Sequence, residues 1–308
     1  MRLTTDNGQI LCETAIVYGR SEYIGIHALA SVMNSLTAAG AVDIGVKVRI
    51  TYPIRSDRVR IYAMEKVVKK ECRRRGAELL KSRIFENPLV VVPSVTIDGI
   101  AALNGESIEN GSGVCKKNVG AEREGLVDFA DKEIVLSKWV GMDGMLQAAR
   151  ERTDMLKERF TPAFIRQILS YEKELFAGKE LEIAWDMGVL HLCQITQGGI
   201  FAALWDISKE LRVGLNLDIR RFSILQETVE VCEYYGLNPY QLTSTGSFLF
   251  VTEDGEALKE ALLKEGIMAA VIGRTTSGQD KIIRNEDDVR YIDRPAPDEI
   301  WKLHVLEK

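Results

Sequence analysis

The sequence predicts an α+β protein of two domains, and three observations support this prediction. Segments with strand-like and helix-like periodicity interleave along the chain of 308 residues. The order of segments starts again near residue 133, after a stretch at 104–120 that is rich in Gly, Asn and Ser. The chain is also long enough for two domains of ordinary size. We therefore expect one domain at residues 1–133 and a second at residues 134–308.

The first half carries alternating strand and helix patterns. Strands are predicted over Gln9–Tyr18, Val46–Tyr52 and Leu89–Ile97, and helices over Tyr23–Ala39 and from Asp57 to about Leu80. The second helix has an apolar stripe, and its opposite face holds a basic run: Lys66, Lys69, Lys70, Arg73, Arg74 and Arg75. Such a run is typical of a solvated helix face, and anion binding is the less favoured alternative. Residues 104–120 are expected to form a connecting loop.

The second half repeats the alternation with more elements. Strands are predicted at 133–140, 189–195, 213–217, 248–252, 268–274 and 280–284, and helices at 143–159, 162–177, 179–187, 198–211, 225–235 and 255–265. Thr161 followed by Pro162 is typical of an N-cap and a first helical residue. Several neighbouring strands can pair in antiparallel fashion, so we expect a C-terminal α/β sandwich. The tail from Pro295 onward is expected to be an appendage.

Composition and charge exclude several classes of function. Hydrophobic residues make up 46% and charged residues 28% of the chain, as in a globular protein with a proper core. The net charge of −5 argues against nucleic-acid binding. No apolar run approaches the roughly 20 residues of a membrane helix, and the polar N-terminus does not resemble a signal peptide. Five scattered cysteines and three separated histidines favour reduced thiols without a zinc site. We expect a cytoplasmic protein.

The most informative segment is the junction Leu190–Phe201, where an apolar run meets paired glycines and a helical pattern. The first amide groups of a helix have no partner within that helix, and the helix dipole favours an anion there. Gly198 and Gly199 are therefore candidate phosphate contacts. The alternative is a tight strand-to-helix turn that requires small residues for backbone reasons alone.

Six pieces of the second half resemble, in order, the C-terminal domain of the aminoimidazole-ribonucleotide synthetase superfamily. They are Ile134–Gly144, Ile195–Phe201, Val213–Asp218, Gly236–Tyr240, Thr245–Phe250 and Ala270–Arg274. The superfamily includes the hydrogenase-maturation carbamoyl dehydratase, selenophosphate synthetase and thiamine-monophosphate kinase. The likeness is strongest to the hydrogenase-maturation branch and its synthase-related relatives.

The resemblance carries expectations for fold, assembly and ligands. Gly25–Leu29 followed by Met33–Ala41 has the outline of the family's first helix. Family members bind ATP with magnesium, and their N-terminal sheet domains pair to form a barrel, so the resemblance implies a homodimer with a small-molecule ligand. It also implies that Asn34, Thr196, Gly198 and Gly199 contact the nucleotide or its metal.

Departures from the family pattern concern acidic residues. Catalytic members have Asn-Asp where this chain has Asn34-Ser35, and His-Asp where it has Cys193-Gln194. The family's early Gly-Asp-Asp segment has no counterpart, and Asp6 and Asp98 are the nearest N-terminal substitutes. Carboxylates hold magnesium, and phosphoryl transfer depends on the neutralisation of charge. Catalytic residues and metal ligands therefore cannot be assigned from the sequence.

Two hypotheses about function follow from these departures. The favoured one is a catalytically degenerate relative that binds a nucleotide, another ligand or a partner protein. The alternative is an active ATP-dependent ligase, kinase or hydrogenase-maturation-type dehydratase. The sequence leaves open whether a protein partner supplies the missing carboxylates. Nucleic-acid binding through the basic run at 66–75 is disfavoured by the acidic balance of the chain.

Overall fold

The structure is a computed structural model that describes residues 2–5, 8–103 and 128–305. These residues form two compact units, each with its own sheet. Unit 1 takes in the described residues up to 103 together with 146–176 and 303–305, and unit 2 takes in 128–145 and 177–302. The domain boundary expected between residues 133 and 134 falls within a stretch of unit 2 and stays a prediction. The loop expected at 104–120 lies outside the described residues.

The sheet of unit 1 contains five strands. They are β1 (Arg2–Thr5), β2 (Gly8–Tyr18), β3 (Ile44–Tyr52), β4 (Glu78–Glu86) and β5 (Ser94–Leu103), in the spatial order β1-β2-β5-β3-β4. The pairs are antiparallel, except that β3 and β4 run parallel. The polar strand β4 therefore forms one edge of the sheet.

Two helices of unit 1 contact this sheet. They are α1 (Ile24–Ala38) and α2 (Arg58–Arg75). In β3 every second side chain is buried, so one face of the strand lies in the core. An added Cβ at Gly99 of β5 would lie 2.2 Å from Val32 of α1, so a larger residue there would displace the helix from the sheet.

The sheet of unit 2 contains seven strands. They are β6 (Glu133–Ser137), β7 (His191–Gln194), β8 (Gly214–Asp218), β9 (Phe248–Thr252), β10 (Ala269–Thr276), β11 (Lys281–Asn285) and β12 (Asp288–Tyr291). Their spatial order is β12-β11-β8-β10-β6-β9-β7, and among the described strands of this second sheet only β8 and β11 pair in parallel.

The helices after residue 128 are α3 (Met142–Glu151), α4 (Thr153–Arg159), α5 (Pro162–Ser170), α6 (Lys179–Asp186), α7 (Gly199–Leu211), α8 (Gln226–Tyr235), α9 (Gly255–Lys264) and α10 (Lys302–Val305). In unit 2, α7 packs with Ile134 and Leu136 of β6 in one buried cluster. The alternate residue Val135 faces the start of α9. The sheet therefore has a helix on each face, as expected for an α/β sandwich. Among the described residues, no helix combines the length and apolar character needed to cross a membrane.

Several element boundaries differ from the sequence-based expectations. The helix expected to reach Leu80 ends at Arg75, because Gly76 adopts a left-handed conformation with φ of 72° and β4 follows. The strand expected at Leu89–Ile97 is instead β5, which begins at Ser94. The helix expected over 143–159 is two helices, α3 and α4. Thr161 caps α5 through its side chain, as predicted.

The expectation that the tail from Pro295 is an appendage was wrong. Asp298, Glu299 and Ile300 are all less than 9% exposed, and Leu303 is also buried. The first three of these residues pack as part of unit 2. Asp298 caps the short 3-10 turn Glu299–Trp301 by accepting the amide of Ile300 at 2.9 Å.

Candidate functional site

The candidate site is the turn between β7 and α7, which we call the Gly-Gly turn (residues 195–199). Both glycines have left-handed backbone angles, with φ of 80° at Gly198 and 67° at Gly199. The amide of Gly199 donates to the carbonyl of Thr196 at 3.1 Å and closes the turn. The chain therefore needs glycine at both positions to enter the helix here.

The backbone amide of Gly198 is occupied by a carboxylate of the same chain. It donates to Oδ2 of Asp298 at 2.8 Å. The other oxygen of Asp298 accepts the amide of Ile300 at 2.9 Å and that of Thr243 at 3.4 Å. Asp298 thus binds at the helix N-terminus, where a phosphate was expected, and uses the same kind of contact.

A second buried carboxylate lies next to this contact. The hydroxyl of Thr243 donates to Oδ2 of Asp143 at 2.9 Å, and both residues are less than 5% exposed. Thr243 begins a loop of buried hydroxyl residues that continues with Ser244, Thr245 and Ser247. Ser244 accepts the amide of Gly141 at 2.7 Å, so this loop is tied to the chain segment just before Asp143.

Gly199 is enclosed by backbone atoms. A Cβ added there would lie 2.5 Å from the carbonyl oxygen of Tyr240 and 2.8 Å from the backbone nitrogen and oxygen of Leu242. These atoms cannot rotate away as a side chain can. The close approach of the two backbones gives Gly199 a structural role that the sequence alone left as an alternative to phosphate binding.

The two residues before the turn are also engaged within unit 2. Oε1 of the buried Gln194 accepts the amide of Gly246 at 3.4 Å. Burial raises the pKa of the Cys193 thiol to about 12, so this cysteine is protonated and unreactive at neutral pH. Burial also lowers the pKa of His191, which favours a neutral core histidine.

An open cavity of about 400 Å³ borders the outer side of Gly198. The rings of Phe201 and Tyr240 line it and stack with centroids 5.3 Å apart. Arg290, Asp293 and Arg294, from the segment that leads into the tail, also line it. Aromatic faces and guanidinium groups together suit a small planar or anionic molecule.

The remaining sequence-predicted contact, Asn34, lies in unit 1. It is 2% exposed, and its side-chain amide donates to the carbonyl of Leu175 at 2.8 Å. Asp98 is bound to neighbours on the sheet: it accepts the Thr14 hydroxyl at 2.9 Å and lies 3.6 Å from Arg49. Within the described ranges, no three His, Cys, Asp or Glu side chains are grouped as metal ligands.

Asp298, Asp143 and Thr243 were not among the site residues predicted from the sequence. Asp298 stands two residues before Ile300 in the manner of a capping residue, which is a usable signal. Asp143 lies within the segment that resembles the family, between two glycines. Neither signal indicates that the two carboxylates lie near the Gly-Gly turn. Their positions depend on the hydrogen bonds Gly198–Asp298 and Thr243–Asp143, each of which joins residues 100 positions apart.

The buried carboxyl of Asp298 predicts a specific dependence of stability on pH. Burial, opposed by its three backbone hydrogen bonds, raises its pKa from 3.8 to about 6. The folded state holds the Asp298 proton more tightly than the unfolded state does, so protonation stabilises the folded protein. This contribution to the free energy of unfolding is complete below pH 4 and is lost as pH rises through 6. The effect reaches at most about 3 kcal/mol.

Urea unfolding of the wild type and of Asp298→Asn between pH 4 and 7 measures this effect. We expect the wild type to lose free energy of unfolding over this interval relative to the variant, which cannot titrate there. Parallel pH profiles for the two proteins would show that Asp298 has an ordinary pKa.

The chain is similar in sequence to known proteins. Residues 132–285, half of the chain, match the family model described as "AIR synthase related protein, C-terminal domain". The carbamoyl dehydratase HypE of Rhizobium leguminosarum bv. viciae is 29% identical over 93 residues, which cover 29% of this chain and 27% of that protein. The chain thus matches about a quarter of the length of this curated relative.

Solved structures with the same fold cover nearly the whole chain. The hydrogenase maturation protein HypE of E. coli superposes with a TM-score of 0.69 at 15% identity, over 96% of this chain and 90% of that one. A structure of HypE in complex with ATP gives a TM-score of 0.67 at 14% identity, over 96% and 88%. The two-domain fold expected from the resemblance is confirmed, and the dimeric barrel stays a prediction.

Proposed function

The chain belongs to the family of AIR synthase related proteins, and from this premise we propose that it is a catalytically degenerate member that binds a small molecule without turning over ATP. The observation that carries the proposal is the hydrogen bond from the Gly198 amide to Asp298. An ionised carboxylate at this position repels a phosphate and occupies the amide that would bind it.

The replaced acidic positions support the same conclusion. Ser35 stands where catalytic relatives have an aspartate, and its neighbour Asn34 is directed to the backbone of Leu175. Gln194 stands in place of the second aspartate and accepts a backbone amide. Neutral side chains at both positions are poor ligands for magnesium, on which phosphoryl transfer depends.

The cavity beside Gly198 is the proposed place for the ligand. Its stacked pair Phe201–Tyr240 provides a flat apolar surface, and Arg290 and Arg294 provide positive charge. Arg290 also pairs with Asp288 at 2.7 Å, so Arg294 is the stronger candidate for an anionic group of the ligand. This chemistry requires no metal ion.

Calorimetric titration of ATP with and without magnesium tests the proposal. We expect magnesium to bring no gain in affinity, and the same samples to form no ADP over hours. The relative solved in complex with ATP makes nucleotide the correct first probe. Micromolar binding that requires magnesium, or turnover of ATP, would instead support an active ATP-dependent enzyme.

A pair of variants tests the role of the Asp298 carboxylate. Asp298→Ala frees the Gly198 amide and is expected to gain affinity for ATP. Asp143→Ala removes the neighbouring buried carboxylate and leaves the Gly198 contact in place, so it is the matched control and should gain less. Light scattering on the wild-type sample tests the proposed homodimer, for which twice the chain mass of 34.5 kDa is expected.

A further inference from the structure

One end of unit 1 carries much of the exposed apolar surface of the chain. Among the described residues, seven large hydrophobic side chains are more than half exposed. Five of these seven lie in the segments 54–62 and 89–91, and we call them the apolar tip: Ile54, Val59, Tyr62, Leu89 and Val91. Single apolar side chains are ordinary at a protein surface, whereas a contiguous group of them marks an interaction site.

The fold brings the two segments of the apolar tip together. Strands β3 and β4 run parallel and end side by side, with Tyr52 opposite Glu86. The amide of Asn87 then donates to the carbonyl of Tyr52 at 2.9 Å. Ile54 follows two residues after Tyr52, and Leu89 follows two residues after Asn87. Both segments therefore leave the sheet at the same end.

Helix α2 continues the apolar tip into a row of positive charges. Its first residue, Arg58, donates to Oε2 of Glu86 at 3.2 Å, which holds the start of the helix beside the end of β4. Val59 and Tyr62 are exposed in the first turns of the helix. Exposed cations follow them at spacings of three and four residues, and we call these cations the basic stripe: Lys66, Lys70 and Arg73.

The charge of the basic stripe is not neutralised by nearby carboxylates. Helix α2 has eight Lys or Arg side chains but only two carboxylates, Glu65 and Glu71. Glu65 pairs with Lys69, and Glu71 pairs with Arg74 and Arg75. In the part of the chain that the structure describes, no carboxylate lies within 4.0 Å of the charged groups of the basic stripe. The helix is thus strongly positive, although the whole chain has a net charge of −5.

This surface stays open in the proposed homodimer. The buried side of α2 packs against α1 and β4, and the basic stripe lies on the other side of the helix, away from the sheet. A barrel of two N-terminal sheets uses the face of each sheet that carries no helix. The apolar tip lies on α2 and beyond the ends of β3 and β4, so it is not part of that face either.

We propose that the apolar tip and the basic stripe bind the surface of an anionic lipid bilayer. The cations suit the negative charge of the lipid headgroups, and the apolar tip suits insertion at the boundary between headgroups and acyl chains. Nucleic acid is bound mainly through hydrogen bonds to its backbone, to which the aliphatic side chains of the tip contribute none. Lysine is depleted in the cores of protein–protein interfaces, so the unpaired lysines favour lipid over a protein partner.

Sedimentation with lipid vesicles tests the proposal on the full chain. The wild type is expected to bind vesicles that contain phosphatidylserine and to bind pure phosphatidylcholine much more weakly. Lys66→Gln/Lys70→Gln should lose at least about tenfold in partition to the anionic vesicles, because each charge near the surface contributes about fivefold. Lys209→Gln/Lys264→Gln is the matched control, since it removes the same charge from exposed positions of α7 and α9. This control should stay within about twofold of the wild type.

A second pair of variants separates insertion from charge attraction. Leu89→Gln/Val91→Gln leaves the charge of the chain unchanged, and both side chains are more than 80% exposed, so the fold should be kept. This variant is expected to lose at least about fivefold in partition, because apolar groups are withdrawn from the lipid. Val42→Gln/Leu263→Gln removes the same two types of exposed side chain outside the apolar tip and should bind as the wild type does.

Three results would overturn the proposal: no binding of the wild type to phosphatidylserine vesicles, equal losses in a variant and its matched control, or unchanged binding by Leu89→Gln/Val91→Gln. The third result would reduce the interaction to charge attraction alone. Binding of a single-stranded oligonucleotide by a wild type that does not bind vesicles would assign the basic stripe to nucleic acid instead.

This proposal does not depend on the function proposed above. Vesicle binding is measured without nucleotide, and ATP titration is measured without lipid. A wild type that turns over ATP and binds anionic vesicles would contradict the proposed function alone. A wild type that does neither would contradict only the proposal of a lipid surface.

Discussion

Replacing Gly199 by alanine is expected to lower the free energy of unfolding by roughly 2–5 kcal/mol. The left-handed conformation at φ of 67° costs an L-residue roughly 1–2 kcal/mol. The new Cβ would also meet the carbonyl of Tyr240 at 2.5 Å and the backbone of Leu242 at 2.8 Å. Relief of these contacts requires a shift of the backbone, which costs a further 1–3 kcal/mol by the rough scale for overpacked sites. Urea unfolding followed by circular dichroism measures the loss.

Gly236→Ala is the matched control for this prediction. Gly236 has a φ of 65°, almost the same as Gly199, but a Cβ added there has no atom within 4 Å. Gly236→Ala should therefore lower the free energy of unfolding only by the cost of the left-handed conformation, roughly 1–2 kcal/mol. If both variants lose the same stability, the backbone contacts around Gly199 are unimportant. A substitution at Gly199 consequently tests the turn and not a phosphate contact.

Replacing Glu180 by glutamine is expected to destabilise unit 2 by about 3 kcal/mol or more. Glu180 and Lys138 form an ion pair at 2.8 Å, and the side chain of each is 4% exposed. Glu180→Gln removes the negative charge next to the buried Lys138 ammonium, and the loss of one charge from a buried pair is strongly destabilising. Lys138 also holds a left-handed conformation with φ of 56°, so its position is already strained.

A double-mutant cycle with Lys138→Met isolates the interaction. The variant that carries both substitutions should recover most of the stability lost in Glu180→Gln, because no buried charge remains. Asp154→Asn breaks the exposed pair with Lys157 and should change stability little, as solvent screens that pair. Additive losses in the cycle would mean that the buried pair is not coupled.

The sequence located the Gly-Gly turn because its signals are local. Paired glycines between an apolar strand and a helical pattern define a junction that needs no distant information. Asp298, which accepts the Gly198 amide, was not predicted because it lies 100 residues away, in a segment that was expected to be an appendage. Backbone contacts such as that of Gly199 with Tyr240 leave no pattern in the sequence at all.

The fold was predictable where burial imposes a period on the sequence. In β3 the alternation of buried and exposed residues identified a strand correctly. Strand β4 lies at a sheet edge with most of its side chains exposed, so it lacks a strong apolar period, and its charged residues follow directly on those of α2. The helix predicted from Asp57 therefore extended beyond its true end at Arg75, although Gly76 is a residue type that commonly ends a helix.

The contact between Gly198 and Asp298 has a consequence for synthesis of the protein. The amide at position 198 leaves the ribosome well before its carboxylate partner exists. At translation rates of about 5–20 residues per second, the interval is on the order of 5–20 s. During that time the helix that starts at Gly199 has an unoccupied positive end, and a nascent chain in this state exposes the surface that residues 298–300 later cover. Completion of unit 2 thus requires residues 298–300, which are made about 100 residues after the turn that they contact.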